Sequence, residues 1–117
     1  MSTPLDKSIS IVSELMLYCH KLGSTTSHIV MDLQPDVAYY EIRAPIEYVK
    51  PEELERVRYY LNQPRDRVIE ESYWMLSSRS DGTEQLRLIG MMVDEAEVIF
   101  ENGELSICVK RVRNSRR

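Results

Sequence analysis

The segment ELMLYCHKLGS, residues 14 to 24, gathers Glu14, Tyr18, Cys19, His20 and Lys21 into about two turns of a predicted helix. A carboxylate can take a proton from water, a thiolate can attack, and an imidazole can act as its base. Spacing restricts what these groups can do together. Cys19 and His20 are neighbours on a helix and project about 100° apart, so they cannot form a nucleophile and base pair. Glu14 reads as a surface or salt-bridged side chain. His20 reads as solvent-facing. Cys19 and Cys108 have no CxxC spacing and no ligand partner, so two small buried thiols are expected rather than a metal or redox site.

These residues need a scaffold, and the hydropathy pattern predicts one. Thr3 can cap a helix, Pro4 suits its first position, Asp6 can reach back to the cap and Gly23 follows the last periodic residue. Ile9, Val12, Leu15, Met16, Cys19 and Leu22 recur at helical spacing and predict a single inward face. HIVMDL and VAYYEIR, separated by Gln34-Pro35-Asp36, read as a β-hairpin. Pro51-Glu52-Glu53-Leu54 opens a second helix, with Leu54, Val57 and Leu61 inward, and Asn62-Gln63-Pro64 breaks it. A third helix is expected near Asp66, with Ile69, Tyr73 and Leu76 on one stripe. Residues 77 to 83, SSRSDGT, read as a loop, and a short helix through Leu86, Ile89 and Val93 follows. AEVIFE and ELSICVKR flank Asn102-Gly103, a strong hairpin signal.

Two one-sided hairpins and several amphipathic helices bury their apolar faces against each other. The fold class expected is therefore α/β of the α+β kind. It is a two-layer sandwich with a mainly antiparallel or mixed four-stranded sheet and about three to four helices on one face. One domain is expected over residues 1 to 112, followed by a basic, disordered tail at 113 to 117.

A chain of 117 residues that is 43% hydrophobic and 29% charged can build one adequate core. No apolar run approaches the roughly 18 residues needed to span a bilayer, and MSTPLDKS lacks the features of a secretory signal, so a cytoplasmic protein is expected. The net charge of −4 conceals an uneven distribution. The final KRVRNSRR holds five of the 15 basic residues, which leaves a body of 10 basic against 19 acidic side chains. Such a tail can hold phosphates, but the acidic body opposes nucleic acid and no aromatic residue interrupts the run, so a solvated terminus is the expectation. Tyr39, Tyr40, Tyr48, Tyr59, Tyr60, Tyr73 and Trp74 are expected in core or rim packing or at a partner surface. Met91 and Met92 read as core filling.

The element order, the helix string ELxxYxxK, the PEEL helix start, the loop with Gly82 and the hairpin closed by Asn-Gly together resemble the ATP-binding domain of histidine kinases. Its relatives are gyrase, a heat-shock chaperone family, MutL and the anti-sigma-factor kinases. The resemblance spans roughly residues 9 to 112. In that family an acid on the first helix is followed four residues later by a magnesium-holding asparagine, with a lysine or histidine one turn on. Glu14 and Lys21 match, but Tyr18 takes the asparagine position, and a phenol is a poor magnesium ligand. After the second strand the family carries an adenine-binding aspartate and two glycines, where this chain has Ala44, Ile46 and Tyr48. In the phosphate-covering lid Gly82 is present, but Glu84 brings negative charge and Arg87 stands where a glycine is expected.

The resemblance thus implies a degenerate member with no catalytic residue, no metal and no cofactor. It would act through a protein partner or as a homodimer, in a bacterial signalling context by analogy. Its vestigial cleft would hold Glu14, Tyr18, Lys21, Arg43, Ala44, Tyr48, Gly82 and Arg87. One alternative is retained binding of ATP with magnesium, or of another small nucleotide, with Lys21, Arg43 and Arg87 against phosphate in a positively lined pocket. If protein contacts are the function instead, Tyr48 and its neighbours should plug that pocket. The other alternative is nucleic-acid binding through the basic tail.

Overall fold

Pro4 opens the first helix as its fixed φ predicts, and α1 runs Pro4–Lys21. Gly23 ends it at φ +113°, which lets the Gly23 NH reach His20 O at 2.9 Å and the Ser24 NH reach Cys19 O at 3.1 Å, a Schellman closure of the last turn. The first hairpin follows as β1 (His28–Leu33) and β2 (Val37–Pro45). Pro51 then starts α2 (Pro51–Leu61) with Glu52 and Glu53 in its positive first turn. The computed structural model describes residues 4–63 and 82–113. The helix expected near Asp66 and loop residues 77 to 81 lie outside the described residues.

The chain continues with α3 (Gly82–Met92), β3 (Glu95–Glu101) and β4 (Glu104–Val112). Asn102 and Gly103 turn the second hairpin with φ values of 54° and 73°, the left-handed pair that a type I′ turn requires. The four strands form one antiparallel sheet in the order β1-β2-β4-β3, with the second hairpin joined to the first through β2 and β4. Among the described residues three helices accompany it, so the two-layer α+β sandwich expected from the patterning is present.

Alternation along the central strands separates the two faces of the sheet. Ala38, Tyr40, Ile42 and Ala44 of β2 and Leu105, Ile107 and Val109 of β4 are buried beneath the helices. Ile11, Leu15, Tyr18 and Cys19 of α1, Val57 and Leu61 of α2, and Leu86, Ile89 and Met92 of α3 complete this core. Tyr39, Glu41, Arg43, Ser106, Cys108 and Lys110 occupy the opposite face, which no helix covers among the described residues and which is called the helix-free face in that sense.

The inward face of α1 is rotated from the one predicted. Ile9 and Met16 are 50% and 40% exposed, while Ile11 and Tyr18 take central places. Simple apolar periodicity ranks a tyrosine below a methionine. Here burial of Tyr18 is compensated by a partner for its hydroxyl, described below. A second polar contact lies in the same layer, where the Ser8 and Tyr40 hydroxyls share a hydrogen bond of 2.6 Å between α1 and β2. No helix among the described residues is long and apolar enough to cross a membrane.

Candidate functional site

Tyr18 is 1% exposed, and its hydroxyl donates to Glu53 Oε2 at the start of α2. Arg56 holds the same carboxylate from one helical turn away, with Nε on Oε1 at 3.1 Å and Nη2 on Oε2 at 3.0 Å. The two glutamates of PEEL were both legible as helix-start acids. Only the tertiary contact separates them, because Glu53 faces α1 and joins the two helices. Burial, and then the bond to Glu53, pushes the Tyr18 phenol far above its ordinary range. Partial burial alone would raise Glu53, but the hydrogen bonds from Arg56 and Tyr18 outweigh it and hold the carboxyl below its ordinary value.

This cluster occupies the point at which the resemblance places a magnesium ligand, and its chemistry does not fit the ion. Magnesium takes hard oxygen donors in octahedral array. Tyr18 presents a protonated phenol committed to a carboxylate that is already clamped by a guanidinium. Among the described residues no group of three His, Cys, Asp or Glu side chains is arranged to hold a metal.

The other residues that the resemblance would gather in a cleft are spread apart. Glu14 is half-buried on α1 and Lys21 is exposed at its last position. Ala44 is fully buried under the helices, whereas Arg43, next to it on β2, projects from the helix-free face. Arg43 therefore cannot share a phosphate site with Lys21 on α1 or with the exposed Arg87 on α3. The predicted cationic trio fails because strand alternation places one of its members on the wrong face. Tyr48 is 66% exposed, so the plug expected with a protein-contact function does not form among the described residues. Gly82 is the first residue of α3 rather than part of a loop.

Two further expectations change. The basic C-terminus is partly built into the sheet, because β4 extends to Val112. Lys110 pairs with Glu95 at 3.2 Å, and the buried Arg111 donates to Met92 O at 2.6 Å. Arg113 closes on the first hairpin turn through Asp36 O and Gln34 O, each at 2.8 Å. Three of the five cations of KRVRNSRR thus serve the fold, and residues 114 to 117 lie outside the described residues. Of the two thiols, only Cys19 is buried, and this pushes it up to about 12. Cys108 is half-exposed on the helix-free face, where burial and then Glu41 and Glu97 raise it.

A depression of about 500 Å³ lies on that face, with Tyr39, Glu95, Glu97, Cys108 and Lys110 among its walls. It is wide open, and its glutamates suit it poorly to phosphate. No protein-family model matches the chain. No curated protein matches it either.

Proposed function

We propose that the chain is a non-catalytic domain of the histidine-kinase type that works through protein contacts. The observation that carries this reading is the Tyr18–Glu53–Arg56 cluster. It fills the expected metal position with a saturated set of side chains, and so opposes magnesium and the nucleotide phosphates magnesium would bring. Two further observations point the same way. Ala44 offers no acceptor to an adenine amino group, and Arg43 lies across the sheet from Lys21 and Arg87. The described elements follow the order on which the resemblance rests, from helix and hairpin through PEEL helix and short helix to the Asn-Gly hairpin. The resemblance suggests regulation in bacterial signalling as the setting. Free thiols at Cys19 and Cys108 suit a reducing cytoplasm.

Thermal unfolding with and without millimolar ATP and magnesium tests this reading. A ligand bound only by the folded state at about 100 times its Kd adds about 2.7 kcal/mol. The expected result is an unchanged midpoint. A rise of several degrees overturns the reading and directs attention to hydrolysis.

A further inference from the structure

An open sheet has two edges, and this chain treats them differently. Along β3 the outward main-chain groups of Ala96 are both met by one side chain. Its NH donates to Asn62 Oδ1 at 3.0 Å, and Asn62 Nδ2 returns a bond to Ala96 O at 3.4 Å. Arg58 Nη2 adds a bond of 2.8 Å to Val98 O. The end of α2 stands where a fifth strand would pair, and Glu95, Glu97 and Glu101 add charge on that side.

At the β1 edge the Gln34 NH donates to Val37 O at 2.9 Å, which marks that pair as hydrogen-bonded. Antiparallel alternation from there turns the NH and CO of Ile29, Met31 and Leu33 away from β2. Among the described residues no strand pairs with this edge. HIVMDL contains no proline or lysine, and Asp32 is its single acidic residue, so it carries little of what usually blunts an edge. Met31 and Leu33 face the helical side yet remain 39% and 40% exposed.

The helical layer continues this apolar strip. α1 packs on β2 and α3, and α2 packs on α3 and β3, so among the described helices α1 is the one nearest β1. Tyr18 points from α1 toward α2. At roughly 100° per residue Ile9 and Met16 lie on the opposite flank, overlooking β1.

We propose that a second copy of this chain pairs with β1 in antiparallel fashion about a two-fold axis at Val30, joining two sheets into one continuous sheet. The inference rests on the protein-contact reading and names the partner. The register follows from self-complementarity on the helix-free face, where His28, Val30 and Asp32 occur in order. Reversing one copy sets Val30 against Val30 and the His28 imidazole against the Asp32 carboxylate on both sides of the axis. One Asp32 oxygen accepts from Gln34 Nε2 at 3.1 Å, which leaves the other for the imidazole. The same register sets Ile29 against Met31, so main-chain groups that point outward meet each other. With the axis perpendicular to the sheet, both helical layers fall on one side. The two α1 flanks, with Ile9 and Met16, then approach over the new seam. A closed, isologous pair of this kind uses up the edge and does not propagate.

Sedimentation of the full chain from micromolar to sub-millimolar concentration should give a monomer–dimer equilibrium. Val30→Lys, at an exposed position, sets two ammonium groups face to face and should weaken the dimer at least tenfold with unchanged circular dichroism. His28→Asp should weaken it by opposing Asp32, and the double exchange His28→Asp with Asp32→His should restore it. Val30→Cys should give a covalent dimer on mild oxidation, because facing residues of a pair without main-chain bonds lie within disulfide range. The wild type and Tyr39→Cys should not. A monomer at every concentration, a dimer indifferent to Val30→Lys, or no cross-link from Val30→Cys overturns the proposal. None of these outcomes bears on the lost nucleotide site, which the ATP thermal shift tests separately.

Discussion

Asn62 and Arg58 satisfy main-chain groups along β3, whereas Ile29, Met31 and Leu33 leave theirs directed outward along β1 with exposed side chains beside them. What distinguishes the two edges is a seated helix. α2 reaches β3 because it is fixed at both ends. Its start is held to α1 through Tyr18 and Glu53, and its last turn lies so close to α3 that a Cβ on Gly90 would stand 1.9 Å from Tyr60 O. Closing an edge therefore took a whole helix together with the small residue that lets it pack. The β1 edge has no such helix among the described residues, although α1 runs near it. Sheet polarity alone does not protect β1, since its helix-free face carries only Asp32 against the row of glutamates on β3.

Gly90→Ala should break the contrast most completely. The added methyl meets backbone rather than the end of a flexible side chain, so α2 and α3 must separate, at a cost of about 3 kcal/mol. Urea unfolding would read this as a lower midpoint with an unchanged slope. The loosened α2 should also withdraw from β3. Asn62→Ala acts on the edge alone. It leaves the Ala96 NH and CO without their partner and should cost about 1 kcal/mol. It should also create a second adhesive edge, detected as concentration-dependent species larger than a dimer. If Asn62→Ala leaves association unchanged, the cap is not what keeps β3 from pairing.

The two edges differ in how far the sequence reveals them. The hairpins, the helix starts at Pro4 and Pro51, and the Asn102-Gly103 turn follow from local chemistry and were all legible. The exposed edge was half legible. The alternation of HIVMDL gave the face but not the position of β1 at the end of the sheet, which depends on β2 pairing with β4 across most of the chain. The capping was not legible. Asn62 reads as a helix breaker before Pro64, and nothing near it signals that its amide imitates a strand. The candidate site followed the same rule. Tyr18 at the position where the resemblance expects an asparagine could be read directly, but Glu53 and Arg56 as its partners could not. That Arg43 lies on the other face of the sheet from Lys21 and Arg87 could not be read either, because a residue's face depends on a register that one-dimensional spacing does not supply.

Tyr18→Phe tests the fixed start of α2 with a smaller effect. Loss of the hydroxyl should cost about 1 kcal/mol while Arg56 still holds Glu53. The pH dependence gives a second measure. Glu53 is held below its ordinary value of 4.5, so its contribution is fully present above that pH and is lost as the pH falls through its lower folded value. Glu53→Gln should flatten this acid limb of the stability curve. Tyr18→Phe should make it shallower, because one of the bonds that lowers the carboxyl is removed. An acid limb identical in wild type and Glu53→Gln would show that the cluster does not fix the start of α2.

The smallest expected effect concerns the face between the two edges. Cys108 is half-exposed there, whereas Cys19 is buried and pushed up to about 12, so a thiol reagent should modify Cys108 of the folded chain well before Cys19. Both reactions should be slow, because burial raises each thiol and Glu41 and Glu97 disfavour the Cys108 thiolate further. Edge pairing through β1 leaves the centre of the helix-free face open. The Cys108 rate should therefore stay constant as protein concentration crosses the monomer–dimer transition. A dimer formed by stacking two helix-free faces also brings Val30 into contact, but it covers Cys108 and slows its modification as the dimer forms. A constant rate, combined with loss of the dimer in Val30→Lys, places the contact on the edge rather than on the face.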